Sequence, residues 1–471
     1  MANKFVHLHV HSEYSLLDGL SKISDLLIHT KEQGMKALAL TDHGSMHGVI
    51  EFYKNALKEE VKPIIGMEAY ITNVNLRERP ERGKFQNYHL LLLAKDRQGY
   101  QNLMKLSSIA HLEGYYYRPR IDKETLNKYS KGLICTSTCL QGEISRNLIA
   151  GDYKQAKESA KWYLDAFGKD YFLEIQRHEY HNFVKEAQNP EVRKQLTQLA
   201  ENEGVWEKGI LSLSRELGIP LIATNDAHYV RKEDAHAQDA LVCVATGKNV
   251  TDTNRLRFID SPTFYLKSPE EMESLFIDHS EALQNTVKIA QSCDISLTLN
   301  KWYFPKYEVT EGKNFDDEMK IRVYEGIKER LARVTQEVKD RLEYELDIII
   351  KKGYSSYFLI VSDMARWAAE HGIVINTRGS TAGSLVAYAL GIVNINPLDY
   401  DLPFERFLTF WRPSPPDIDL DIADNRREEI IGYMTQKYGV DRVAQICTFG
   451  RMLARGSVRD IARVLGYPYS T

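Results

Sequence analysis

Seven short segments of the chain carry nine side chains able to ligate a metal. They are His9 and His11 in HLHVHS, Asp18 in SLLDG, His43 in LTDHG, Glu68 in GMEAY, His89 in NYHLL, Cys139 in TSTCL, and Asp226 with His228 in TNDAHY. Imidazole, carboxylate and thiolate are the groups that hold zinc, manganese or iron. Nine exceed what one four-coordinate ion needs, and suit a cluster of two or three ions of the kind that hydrolyses phosphate esters. A second acidic cluster, Asp417, Asp419 and Asp421 in PPDIDLDI, lies far downstream. Its three carboxylates alternate along a strand and so face one side. Three adjacent carboxylates repel one another unless cations sit between them. Mg²⁺, which takes few protein ligands and completes its shell with water and phosphate oxygens, fits such a site. Flanking Ile418, Leu420 and Ile422 supply an opposite, apolar face; a solvated acidic edge strand is the plain alternative.

The elements that must position these groups follow from periodicity. FVHLHVH alternates as a strand, which puts His9 and His11 on one face, and Asp226 and His228 share a face for the same reason. Further strands are expected in MKALALTDH, PIIGMEAYI, YHLLLLAK, GLICTSTC, DYFLEI and PLIATNDAHY, separated by helical stretches such as SKISDLLIHTKEQG. Strands alternating with helices imply parallel βαβ units. The chemical residues stand at or just after strand ends, as in β/α barrels. A barrel of seven or eight strands over roughly residues 1–270 is expected. Residues 178–206 read as a polar helical excursion on the surface, 297–312 as a linker, and 314–352 as an amphipathic helix. An NTRGSTAGS turn, a helix in LVAYALG and the strand DIDLDI follow. In that turn, Gly and Ser would let backbone N–H groups and a hydroxyl approach a triphosphate at a helix N-terminus.

At 471 residues the chain has room for two to four domains. Hydrophobic residues make up 43% and charged residues 27%, ordinary for a globular protein. A net charge of −4 does not mark a nucleic-acid binder, but from Asp424 to Thr471 eight Arg/Lys oppose five Asp/Glu, a locally basic stretch. The N-terminus has no signal-peptide core, and no run is apolar enough to span a bilayer. The five cysteines show no framework spacing. Reduced thiols and a cytoplasmic location, without membrane association, are expected.

Residues 5–11 (FVHLHVH), 38–44 (LALTDHG), 65–70 (IGMEAY) and 222–229 (IATNDAHY) resemble the polymerase-and-histidinol-phosphatase (PHP) domain. More narrowly, TNDAHYVRKEDAHAQDALVCVATGK and NRLRF resemble the version found in the bacterial replicative DNA polymerase III alpha-subunit family, the C family. The resemblance implies a distorted seven-stranded β/α barrel with a metal cluster of two or three Zn²⁺ or Mn²⁺ ions at the strand C-termini. Residue by residue it carries over to His9, His11, Asp18, His43, Glu68, His89, Cys139, Asp226 and His228, with none missing. The implied chemistry is 3′–5′ exonucleolytic hydrolysis. For Cys139 the plain alternative is a small core residue, though the family pattern favours a ligand. His7 and His47 read as bystanders or supporting groups. Tyr115 to Tyr117 with Arg118 and Arg120, in GYYYRPRID, could stack bases and grip phosphate or simply pack.

RGSTAGS, YFLIVSDM, FERFL, DIDLDI and QICTFGRMLARGSVRDIARVLGYPY resemble the palm and early thumb of the same family, a palm similar to the nucleotidyltransferase fold of DNA polymerase beta. By that resemblance Asp417 and Asp419 would be catalytic and hold Mg²⁺. Arg378, Gly379 and Ser380 would hold the incoming triphosphate, with Tyr357 and Arg406 lining the site. The stretch before RGS reads VINTRGS, shorter and poorer in Gly and Pro than the family pattern. Implied boundaries are 1–275 for the PHP phosphoesterase domain, 276–430 for part of the palm and 431–471 for the start of the thumb. The expectation is the N-terminal part of a template-directed polymerase acting on primer-template DNA and deoxynucleoside triphosphates. Sliding clamp and proofreading exonuclease subunit would be its partners. The chain alone would lack the family's third palm aspartate and its fingers. The alternatives are a free-standing PHP phosphoesterase acting on a small phosphate ester, or a scaffold without activity.

Overall fold

The structure, a computed structural model, describes residues 5–81, 83–299 and 301–468. It divides into two compact units, one reaching from the N-terminus to Leu297 and including the stretch from Arg451 onward, the other Thr298–Gly450.

The first unit is built on seven strands: β1 (Ala37–Leu40), β2 (Lys62–Thr72), β3 (Asn87–Ala94), β4 (Arg120–Ile121), β5 (Leu133–Thr136), β6 (Tyr171–Ile175) and β7 (Leu221–Ala223). Their order in the sheet is β1-β2-β3-β5-β6-β7, with β4 paired to β2. Runs such as ALAL and LLLLA are buried throughout because helices cover the sheet. Not all pairings are parallel, as alternation of strands and helices had implied. β3 runs antiparallel to both β2 and β5. The described residues of the connection 73–86 form no helix, and the chain returns as a hairpin rather than crossing over. Segment FVHLHVH forms a single bridge, Val10 to Ala227, rather than a regular strand. It is nonetheless bonded on both sides. Ala39 and Thr41 donate to the carbonyls of His7 and Val10, while His11 and Ala227 exchange bonds with Ala227 and His9. The segment therefore joins the sheet's two outer strands, β1 and β7. Val6 and Leu8 enter a core with Ala37, Ala39, Ile64, Leu93, Ile134 and Ile222.

Helix Ser280–Ser292 closes that core with Ile289 and Ala290, so the unit continues past residue 275. The surface excursion expected over 178–206 is in large part helix Pro190–Leu217, started by Asn189 accepting from the Glu191 and Val192 N–H groups, with Pro190 at its first position. One face of it is core: Trp206 is 1% exposed, and Leu196, Ile210 and Leu213 are buried beside it in sequence. The stretch beyond Arg451 packs in this unit, where Val464 and Ile461 meet Ala240 and Cys243.

In the second unit, residues 301–310 are irregular, as the linker reading expects. The amphipathic stretch 314–352 is two helices, Phe315–Arg330 and Gln336–Lys351, because the Thr335 side chain caps a new N-terminus. These helices and Ser355–Glu370 bury Val323, Ile327, Leu342, Leu346, Phe358 and Phe404. A two-stranded antiparallel ribbon, β8 (Ile375–Arg378) and β9 (Asp419–Ile422), lies over this core and pairs Arg378 with Asp419 and Asn376 with Asp421. Leu420 and Ile418 pack inward, so the alternation read from DIDLDI is kept.

Candidate functional site

In the first unit the nine candidate ligands converge from the FVHLHVH segment (His9, His11), from within β2 (Glu68), from near the start of β3 (His89) and from turns (Asp18, His43, Cys139, Asp226, His228). His9 Nε2 lies 3.2 Å from both Glu68 Oε1 and Asp226 Oδ1. His11 Nε2 is 3.1 Å from Asp226 Oδ1. His43 Nδ1 is 2.7 Å from Glu68 Oε2, and its Nε2 is 3.4 Å from Asp18 Oδ1. His89 Nδ1 is 3.0 Å from Glu68 Oε1, and His228 Nε2 is 3.9 Å from Asp18 Oδ2. Cys139 Sγ stands 3.7 Å from both Glu68 Oε1 and His89 Nδ1, at the edge of the group. Three overlapping sets, His11–His43–His228, His9–His11–Glu68 and His43–Glu68–His89, each bring their ligand atoms within 4.8 Å of one another.

These atoms are close without being bonded. His9 Nε2, His11 Nε2, His43 Nδ1, His228 Nε2, Glu68 Oε2, Asp18 Oδ1 and Asp226 Oδ1 are all buried with no hydrogen-bond partner. Seven buried polar atoms without hydrogen-bond partners at one point carry a large desolvation cost that cations would remove. The donor set, imidazoles with carboxylates and one thiol, fits zinc or manganese.

Supporting groups aim the rings. Glu174, fully buried, accepts from His9 Nδ1 at 2.8 Å and also from Gln176, Thr224 and Thr136. This is a carboxylate–histidine pairing that leaves Nε2 for a cation. His11 Nδ1 meets the Ser15 hydroxyl at 2.8 Å, and Ser15 in turn donates to Asp42. His228 Nδ1 lies 2.8 Å from the Asp226 carbonyl. Asp226 itself sits in left-handed backbone at φ 49°, and Thr138, just before Cys139, at φ 55°. Both positions are strained for residues with a Cβ, a pattern common at functional sites.

Electrostatics follow. Burial alone would lower the His9 and His43 pKa values, but the Asp226, Glu68 and Glu174 carboxylates around His9, and Asp18 and Glu68 beside His43, outweigh it and hold both rings protonated well above the usual imidazole range. Burial, with His43 and His228 adjacent, pushes His11 down to about 3. Asp18, Glu68 and Asp226 are held well below the usual carboxylate range against burial, by the surrounding imidazoles. Burial and the Glu68 charge push the Cys139 thiol well above its ordinary value, so only a bound cation would make it a thiolate.

A cavity of about 500 Å³ opens onto the cluster and is lined by Asp18, His43, His89, Cys139, Asp226 and His228. Its other walls include Tyr70, Arg118, Gln176, His178, Arg257 and Phe264. Sequence reasoning singled out neither Glu174 nor His178. His178 stacks on Phe264 at 3.8 Å, with Nδ1 on Thr263 and Nε2 buried and unbonded. His7 is turned away: its Nε2 bonds the Lys267 carbonyl, outside the cluster. His47 is exposed beside His111.

In the second unit, Asp417, Asp419 and Asp421 are exposed along one side of β9 and the residues before it. Arg378 Nε lies 3.2 Å from Asp421 Oδ1, and Arg412 reaches Asp417 at 3.8 Å. Gly379 has φ +80°, and a Cβ there would come 3.9 Å from Asp419 Oδ2. Ser380 is exposed in the same turn. The Tyr357 hydroxyl donates to the Pro416 carbonyl at 3.1 Å and so pins the residue before Asp417. Burial raises its pKa. Arg406 is exposed in the turn Phe404–Arg406 and forms no ion pair with the aspartates among the described residues.

One expectation is corrected. The helix after RGSTAGS, Leu385–Ala389, has no free N-terminus. The buried Glu345 carboxylate accepts from the Leu385 and Val386 N–H groups and from the Ser384 hydroxyl, and Ser384 caps Ala387. An internal carboxylate already occupies the place a phosphate would take. Only the Arg378–Ser380 end of the turn remains open.

No described helix is long and apolar enough to cross a membrane. Residues 7–178 match the PHP domain family, and residues 317–471 match the bacterial DNA polymerase III alpha NTPase domain family. The chain is 46% identical over 473 residues to the DNA polymerase III subunit alpha of Borreliella burgdorferi, covering 99% of this chain and 39% of that protein. It is 46% identical over 497 residues to the same subunit of Helicobacter pylori (strain ATCC 700392 / 26695), with 99% and 39% covered. Against that of Aquifex aeolicus it is 38% identical over 490 residues, with 100% and 40% covered. The chain thus spans about two fifths of the length of the curated relatives it matches. A PHP sheet bearing nine converging candidate ligands, followed by an aspartate-bearing ribbon in a second unit that matches the polymerase family, places this chain in the bacterial DNA polymerase III alpha-subunit family.

Proposed function

We propose that the first unit is a metal-dependent phosphodiesterase that removes nucleotides from DNA 3′ ends, and that the second contributes part of the catalytic palm of a template-directed DNA polymerase. The observation that carries the first half is the meeting of seven buried polar atoms without hydrogen-bond partners at an open cavity. His9, His11, Asp18, His43, Glu68, His89, Cys139, Asp226 and His228 would hold two to three Zn²⁺ or Mn²⁺ ions. Such ions would polarise a phosphoryl oxygen and make water a nucleophile at neutral pH. The chain's own part is to fix the donors through Glu174, Ser15 and the Asp226 carbonyl, and to keep the cavity walls around the scissile group. The free-standing phosphoesterase reading gains no support, because the relatives align along the second unit as well.

In the second unit Asp417 and Asp419 would hold Mg²⁺, with Arg378, Gly379 and Ser380 at the triphosphate, and with Tyr357 and Arg406 on its border. Primer-template DNA and deoxynucleoside triphosphates are the proposed substrates of the whole protein; a sliding clamp and a proofreading exonuclease subunit are its proposed partners.

Elemental analysis should return two to three transition-metal ions per chain, fewer in the His43→Ala, His228→Ala double variant. With Mn²⁺ or Zn²⁺ added, the chain should release mononucleotides from single-stranded 3′ ends. Asp226→Asn should abolish that release while leaving the fold intact. Equal release by both proteins would identify a contaminating nuclease and refute the assignment.

A further inference from the structure

The segment GYYYRPRID is divided by the structure into parts that hold and parts that face outward. Arg120 is fully buried, and its guanidinium donates to the carbonyls of Gly114, Leu76 and Glu78. Tyr116 donates its hydroxyl to Pro80 and its N–H to the Arg118 carbonyl. Tyr117 is fixed at φ +61°. Gly114 packs so closely that a Cβ would lie 2.0 Å from the Arg120 carbonyl oxygen. The loop is therefore rigid, yet Tyr115 and Tyr117 each leave 58% of their surface to solvent.

Arg118 is placed differently from the other arginines around it. Arg77 is paired with Glu113, Arg79 is bonded to the Glu113 carbonyl, and Arg257 across the cavity is tied to Asp260. The Arg118 guanidinium has no ion pair or hydrogen bond among the described residues. It lines the mouth of the cluster cavity and lies 5.6 Å over the Tyr70 ring. Tyr70 in turn meets the His89 ring edge-on at 5.2 Å and faces that of His43 at 6.1 Å. One aromatic ring thus separates the Arg118 guanidinium from two candidate ligands, at the edge of a cavity lined by the Asp18 and Asp226 carboxylates.

We propose that the loop Gly114–Arg120 is the seat of the single-stranded segment that feeds a 3′ end into the cavity, with Arg118 on a backbone phosphate and Tyr117 and Tyr115 under unstacked bases. This rests on the nucleolytic reading above and names how its substrate is held. A polyanion entering a carboxylate-lined cavity needs a fixed cation at the mouth. Rigid, exposed rings recognise bases by stacking, which is tolerant of sequence and requires unpaired strands.

The test is anisotropy titration of the full chain with a 5′-fluorescein oligothymidylate of about twelve nucleotides, a length suited to one such site, over a range of salt. Arg118→Ala should weaken binding about tenfold and reduce the slope of log K against log salt by about 0.7, the loss of one phosphate contact on a single strand. Arg118→Lys should keep the slope. Tyr117→Ala should weaken binding about tenfold with the slope unchanged. Melting temperature and metal content of each variant report whether the fold survives. An unaltered slope in a folded Arg118→Ala protein overturns the proposal, as does equal, non-zero mononucleotide release by wild type and that variant at subsaturating oligomer. If wild type binds with the full slope, and Arg118→Ala loses it, while no metal supports hydrolysis, the strand seat stands and the nucleolytic reading falls.

Discussion

Replacing Glu174 by glutamine tests whether the cluster is built for cations. Every partner of this carboxylate is a donor: His9 Nδ1, Gln176 Nε2 and the Thr224 hydroxyl on Oε1, and the Thr136 hydroxyl on Oε2. In Glu174→Gln the amide oxygen can keep the three bonds of Oε1. The amide nitrogen then faces Thr136, whose hydroxyl already accepts from the Thr138 N–H. The main loss is charge behind His9. A hydrogen bond to an ionised group contributes ~1.5–3 kcal/mol and a neutral one ~0.5–1.5. The difference, roughly 1–1.5 kcal/mol at His9, corresponds to about tenfold in cation affinity, at the low end of the roughly 10- to 100-fold cost of removing such a supporting group. Competition with a chromophoric chelator measures it. The metal-free variant, relieved of a buried charge, should melt no more than slightly below wild type. Unchanged cation affinity in a folded Glu174→Gln protein would mean that His9 Nε2 does not bind metal. A collapse of metal-free stability would mean that Glu174 is a structural anchor instead.

Cation binding should release protons: His9 and His43 are held protonated above the usual imidazole range, and both must give up a proton to ligate. Calorimetry in buffers of different ionisation enthalpy counts those protons near pH 7, and Cys139→Ser should lower the count by one if the thiol ligates. The sign for the metal-free chain is set by the same groups. Raised His9 and His43 values contribute stability present below the usual imidazole range and lost as pH climbs through their folded values, so the metal-free melting temperature should fall on alkalinisation while that of the metal-loaded chain holds. Trp206→Ala should cost about 3–5 kcal/mol in urea unfolding of the first unit. Trp206→Phe should cost under about 1.5, since the indole N–H has no partner to lose. Glu345→Ala should cost about 3–5 kcal/mol, because Arg341 and two helix N–H groups lose their buried acceptor together; a smaller effect on chemical denaturation would show that water replaces it.

The candidate ligands were legible because imidazole, carboxylate and thiol groups recur in step with the strand segments of the sequence. Glu174 was not: it is one acidic letter in DYFLEI, and its partners Thr136, Gln176 and Thr224 belong to three different segments with no spacing in common. Strand positions could be read from alternation and apolar runs, but direction could not. β3 turned antiparallel because the described residues of 73–86 form no helix, which composition alone did not reveal. The long amphipathic stretch after Asn314 kept its period across Thr335, so only the cap hydrogen bond exposes the break. The occupied N-terminus of Leu385–Ala389 depends on a glutamate forty positions earlier, a long-range pairing that no local pattern carries.

The peptide that carries His9 and His11 is also the piece that joins the two outer strands of the sheet, through Ala39 and Thr41 on one side and Ala227 on the other. Asp226 and His228 flank that same Ala227. The cluster therefore works as a clasp across a seam, and its occupancy is linked to the closure of the whole unit. By mass action, cations at a thousand times their dissociation constant would add about 4 kcal/mol to the closed form. Chelation should then register first as faster amide exchange at His11, Ala39, Thr41 and Ala227. A chain starved of metal would then have not only an empty proposed hydrolytic centre but a sheet free to part along one line.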